Sequence, residues 1–155
     1  MRDPLVFLPG LMCDAHLFAG QITAFSPDYP VSVMPVGHGE RLEEIASSLI
    51  HVLPPRFALV GHSIGGMIAQ GLAVKRLDQV RALVLSNTAA KIGQPRMWQD
   101  RIDTIRAGGV EALADSVMER WFPEYFRERD PNFPMWRNML TRTPAEGYIG
   151  CASAI

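Results

Sequence analysis

Cysteine is scarce. The 155 residues carry only Cys13 and Cys151, far apart and without metal-type spacing, so a reduced, cytoplasmic setting is expected and no metal is called for. Charge of one sign is lacking too. Fifteen basic and sixteen acidic side chains leave a net charge of −1, and the scattered Lys and Arg offer no footprint for nucleic acid or an anionic membrane. No uninterrupted apolar run approaches the ~20 residues needed to span a bilayer. The opening Met1-Arg2-Asp3-Pro4 enters a short strand-like run directly, which argues against a signal peptide. Histidine ends early, at His16, His38, His51 and His62. No internal repeat or low-complexity tract is evident. What remains is one domain's worth of chain, long enough for a real core.

The stretch from Phe57 to Gln70 organises the rest. A short apolar run leads into Gly61-His62-Ser63-Ile64-Gly65, and an unbroken helix-forming run leads out. Strand, tight turn and helix around G-x-S-x-G form the pattern of a nucleophile elbow. The turn reverses so sharply that the serine must adopt a strained backbone. Glycines at 61 and 65 remove side chains that would strike the adjoining strand or helix. Ser63 would then stand clear at the strand's end, above a helix N-terminus whose free N–H groups can receive negative charge. The competing reading, a serine that merely caps a helix, is weakened by this context.

Leu5 to Leu8, closed by Pro9-Gly10, reads as a buried strand. Asp14 could cap a helix running through Phe25, and Tyr29 to Val36 reads as a second strand despite the prolines at its margins. Gly37-His38-Gly39 is a turn. From Glu40 a helical stripe of Leu42, Ile45, Ala46, Leu49 and Leu53 runs to Pro54-Pro55. The helix from Ile64 to about Lys75 is apolar nearly all round, as an element packed inside a layered domain would be. Val80 to Leu85 is a fourth strand. Strand and helix alternate four times, so the pattern predicts an α/β fold whose parallel sheet carries helices on both faces. From Pro95 the texture is helical only: Arg96 to Ala107, Val110 to Trp121, Pro131 to Leu140 and Pro144 to Ile155. All three tryptophans, Trp98, Trp121 and Trp136, lie there. Residues 1–94 are therefore expected to form the core and residues 95–155 a helical lid above Ser63, with Trp121 packing helices together.

The strand order, the elbow and the turn Leu8-Pro9-Gly10-Leu11 together resemble an α/β-hydrolase. In that family the oxyanion hole is built from the backbone N–H after the nucleophile and one from the loop after the first parallel strand. The resemblance implies Ile64 and Leu11 in those roles and a structural role for His38. Leu85 to Gly93, Ile105 to Leu113 and Met139 to Cys151 are similar to the lid of 3-oxoadipate enol-lactonases, which open a small anionic lactone in aromatic catabolism. That likeness covers about residues 80–155 and implies that Trp136 and Arg137 contact the anionic substrate. A packed core tryptophan is the other reading of Trp136.

A neutral serine needs a general base and a carboxylate to orient it. The family order is Ser, then acid, then His, and here no histidine follows His62. His62 is read as packing beside the sheet or helping to shape the pocket wall, His51 as a surface or helix-end residue, and His16 as the one substitute base to test. Asp100, Asp103 and Asp115 read as helix-surface acids. The expectation is a core lacking its C-terminal strands, with acid and base absent. Two functions follow. One is a serine hydrolase of a small ester or lactone, working through an acyl-enzyme without a cofactor. The other is an inert fragment whose sheet edge binds a complementing C-terminal segment or a second copy as a homo-oligomer.

Overall fold

In a computed structural model, residues 2–37 and 39–155 are described; His38, expected to be structural, lies outside them. Four strands, β1 (Leu5–Leu8), β2 (Val31–Val33), β3 (Phe57–His62) and β4 (Val80–Ser86), form one sheet of order β2-β1-β3-β4. All three pairings are parallel. The helices α1 (Ala19–Phe25), α2 (Leu42–Ile50) and α3 (Ile64–Lys75) connect the strands, α1 being preceded by a 3-10 turn at Ala15–Phe18. Five more follow β4: α4 (Pro95–Gly108), α5 (Ala114–Trp121), α6 (Glu124–Arg129), α7 (Phe133–Thr141) and α8 (Ala145–Ala154). No helix among the described residues is long and apolar enough to cross a membrane.

Local chemistry accounts for where the elements depart from the sequence expectation. Asp14 is the expected cap, its carboxylate accepting from the His16 N–H, but the first turn it starts is a 3-10 helix. β2 shrinks to three residues because Pro30 and Pro35 have no N–H to give a ladder. The helix foreseen from Val110 to Trp121 splits into a 3-10 turn, Val110–Leu113, and α5. The short α6, which begins after Pro123, was not foreseen at all.

Alternation along the strands divides the side chains between the two faces. Val6, Leu8, Phe57 and Leu59 are buried with Ile45, Leu49, Ile64, Ile68 and Leu72 of α2 and α3 in one cluster. On the opposite face Phe7 packs against Phe18, ring centroids 4.8 Å apart. That face is not covered out to β4: Val84 is 53% exposed. A second cluster joins the helices after β4, with Trp98, Ile102, Ile105, Val117, Leu140 and Tyr148 at its centre. α8 ties the clusters together, since Cys151 packs in the first and Tyr148 and Ala152 in the second.

The order of the strands places the functional region. The chain steps from β1 to β2 on one side and returns to β3 on the other. In an open parallel sheet the loops at such a reversal diverge and leave a crevice beyond the carboxyl ends of the strands. Leu8 is paired in register with Gly61, so the Pro9-Gly10-Leu11 loop and the turn at Ser63 leave the sheet side by side.

Candidate active site

Ser63 sits between β3 and α3 with φ +54° and ψ −122°, a region costly for a residue with a side chain. Packing enforces it. A Cβ on Gly61 would lie 2.5 Å from the Gly65 carbonyl oxygen and 2.6 Å from the Gly66 Cα. One on Gly65 would run into the Leu8 carbonyl. β1, β3 and α3 thus approach so closely that only hydrogen fits at both positions. The end of β4 fastens the turn: the Ser63 N–H donates to the Ser86 carbonyl (3.1 Å) and the Thr88 hydroxyl donates to the Ser63 carbonyl (2.7 Å).

Strain of this kind is confined to one rim of the sheet. Among the described residues the non-glycine positions with positive φ are Met12 (63°), Ser63 (54°) and Asn87 (48°). They follow β1, β3 and β4 respectively, and all three line one cavity of about 440 Å³, a size suited to a small molecule. Strained backbone persists where the surroundings over-determine it, most often at functional sites. Met12 carried no signal in the sequence; Asn87, in the Ser-Asn-Thr close of β4, is a residue type that tolerates positive φ.

Helices α4, α5, α7 and α8 contribute to the rest of the wall. Trp98, Trp121 and Trp136 all line the cavity. Trp98 is fixed by its indole N–H, which donates to the Ile92 carbonyl at 2.7 Å. Trp121 also packs edge-on against Phe122, and Trp136 lies 5.5 Å from the same ring. The tryptophan readings as packing and as cavity wall therefore coexist. Arg137 departs from expectation. It forms ion pairs with Glu111 and Asp115 and is not part of the cavity lining, because consecutive helical residues point about 100° apart.

Two residues near the serine carry backbone N–H groups with no acceptor among the described bonds. Gly10 is so close that a Cβ there would lie 3.3 Å from the Ser63 Cβ, which places its neighbour Leu11 in the same wall. The Leu11 N–H has no partner among the described backbone and side-chain bonds. Ile64 opens α3, where an N–H has no intrahelical acceptor.

Other nucleophiles and bases can be compared with Ser63. Cys13 lines the same cavity, but burial, reinforced by Asp14, pushes its thiol up to about 12. It stays protonated and inert at neutral pH. His62 lines the cavity, as the pocket-wall reading expects, and burial holds its imidazole below the usual value. His16 instead meets Asp14, with Nδ1 2.8 Å from the carboxylate, and does not line the cavity. His51 caps the end of α2. Asp100 and Asp103 are exposed, as is Asp115. No described acid-and-imidazole pair faces Ser63.

A model of the alpha/beta hydrolase family matches residues 5–152. The 3-oxoadipate enol-lactonase 2 of Acinetobacter baylyi is 29% identical over 99% of this chain and 63% of its own length. The 3-oxoadipate enol-lactonase 1 of the same organism is 26% identical over 97% and 62%. The crystal structure of the enol-lactonase from Burkholderia xenovorans superposes with a TM-score of 0.89 at 29% identity, covering all of this chain and 65% of that one. The chain thus spans just under two thirds of these relatives.

Proposed function

The chain belongs to the alpha/beta hydrolase family, and from that premise we propose that it acts on a small carboxylic ester or lactone, of the enol-lactone type, with Ser63 as nucleophile. The observation that carries this reading is the strained serine at the floor of a cavity whose other nucleophile, Cys13, is held protonated. Ser63 Oγ attacks the carbonyl carbon, and the Leu11 and Ile64 N–H groups stabilise the charge that develops on oxygen. The acyl C–O bond then breaks, and its electron pair leaves on the ring or ester oxygen, which takes a proton. Water releases the acid from the acyl-enzyme. Trp136 supplies apolar wall to the substrate.

The proton on Ser63 needs an acceptor. In this reading the orienting acid and the base come from a complementing C-terminal segment, so the chain alone acylates slowly and turns over poorly. Mixing it with a p-nitrophenyl ester tests this: the expected result is a burst of at most one equivalent of p-nitrophenol and an acyl adduct on Ser63. Release without an adduct, or an adduct elsewhere, overturns the reading.

One observation favours a second reading, an inert chain that acts through its sheet edge. Leu83, Val84 and Leu85 of β4 are 38–53% exposed, and an edge strand offers unpaired N–H and C=O groups to another strand. Under this reading a peptide spanning the later strands binds, yet lactone hydrolysis does not appear at any ratio.

A further inference from the structure

The peptide group that joins Ser63 to Ile64 has two ends with separate tasks. Its N–H belongs to Ile64, one of the two donors assigned above to the developing oxyanion. Its carbonyl belongs to Ser63 and points the opposite way, because a trans peptide holds C=O and N–H in one plane on opposite sides. Whatever fixes the carbonyl therefore aims the N–H. Two donors to that oxygen come with α3: the Gly66 N–H at 2.9 Å and the Met67 N–H at 3.2 Å. A third, at 2.7 Å, is the Thr88 hydroxyl, which arrives from beyond the end of β4.

The segment after β4 is fastened so that this hydroxyl meets the turn. The Ser86 carbonyl accepts from the Ser63 N–H at 3.1 Å. Asn87 then adopts left-handed backbone, with φ 48°, and Thr88 follows it. The side-chain amide of Gln70 donates to the carbonyls of Gly66 and Ala89, at 3.3 and 3.4 Å, and ties the next residue to the same end of α3. A Cβ on Gly66 would lie 2.5 to 2.7 Å from the side-chain atoms of Thr88, so the approach needs glycine there. The peptide that carries the Leu11 N–H is held at its carbonyl too, since the Gly10 oxygen accepts from the Cys13 N–H at 3.1 Å. That clamp is backbone alone, whereas the one at Ser63 includes a side chain.

We infer that Thr88 is a positioning residue for the oxyanion site: its hydroxyl holds the Ser63 carbonyl and so fixes the direction of the Ile64 N–H. The inference rests on the reading of Ser63 as nucleophile and adds the side chain that sets one of its oxyanion donors. Ser63, at φ +54° and ψ −122°, lies outside helical backbone. Such a conformation persists only where its surroundings over-determine it, and a hydrogen bond from another strand's end is a constraint of that kind. Thr88 does not line the cavity, so it acts through the backbone and not on substrate.

Acylation by a p-nitrophenyl ester, with free imidazole as external base, is followed as the burst of p-nitrophenol over a range of ester concentrations. A misdirected donor weakens the transition state and not the bound ester. Thr88→Val is therefore expected to acylate at least about tenfold more slowly at saturating ester, with the half-saturating ester concentration unchanged. Thr88→Ser keeps the hydroxyl and should stay within about threefold of the native rate. Thr88→Ala repeats the comparison without a methyl facing the Ser63 carbonyl, in case Thr88→Val folds poorly. An adduct that survives Ser63→Ala overturns the nucleophile reading, and no adduct on Ser63 in the native chain overturns both. Native-rate acylation by the variants lacking the hydroxyl overturns the inference alone. So does a slowing that is only weaker ester binding, or a Thr88→Ser protein as slow as Thr88→Val.

Discussion

Leu59 and Leu83 are the same residue at paired positions of adjacent parallel strands, and side chains at paired positions share a face. Leu59 is fully buried beneath α3, whereas Leu83 is 38% exposed. The contrast extends along both strands: β3 buries every second residue, while the interior of β4, Arg81 to Leu85, is exposed throughout. Yet Ala82 to Leu85 is as apolar as Ala58 to Val60. Composition records what a strand is suited to be covered by, and β4 has the composition of a strand with neighbours on more than one side. Its carboxyl end is built to the same standard, since it fastens Ser63 at two backbone atoms. Among the described residues the strained serine turn is thus fastened to β4, and no acid-and-imidazole pair faces it.

The largest loss of stability is expected at the elbow. Gly65→Ala would force a side chain into the Leu8 and Pro9 carbonyls, which belong to backbone and have little room to yield. A loss of at least about 3 kcal/mol is expected by chemical denaturation. A near-native midpoint would mean that the turn is looser than described.

The matched leucines come next. Leu59→Ala should cost about 2–5 kcal/mol through a core cavity, and Leu83→Ala no more than about 1 kcal/mol. Equal costs, or a Leu83→Ala effect that depends on protein concentration, would show that β4 is covered in solution by a second copy.

The smallest effect concerns pH. Because burial lowers the His62 pKa in the folded state, the unfolded chain takes up the proton first as pH falls through about 6.5. Stability should therefore decline below that pH and recover above it. Thermal melts of His62→Gln should show a flatter profile between about pH 5 and 7; an unchanged profile would assign the slope to other groups.

Much of this architecture is legible in the sequence because the physics is local. Short apolar runs marked β1, β3 and β4, closed by Pro9-Gly10, Gly61 and Ser86-Asn87-Thr88 respectively, and the glycines around Ser63 marked the turn. The parts that were missed depend on packing between distant segments. Arg137 follows Trp136, and nothing local says that one faces the cavity while the next meets Glu111. The strain at Met12 has no residue-type signature, whereas Asn87 is of a type that tolerates positive φ.

The most direct test asks where a serine-directed probe attaches. The chain is incubated with a fluorophosphonate, with free imidazole supplied as an external base, and the product is mapped by intact mass and peptide sequencing. The account predicts a single adduct on Ser63, faster with imidazole and absent from Ser63→Ala. Labelling that persists in Ser63→Ala, or that settles on another residue, would contradict it.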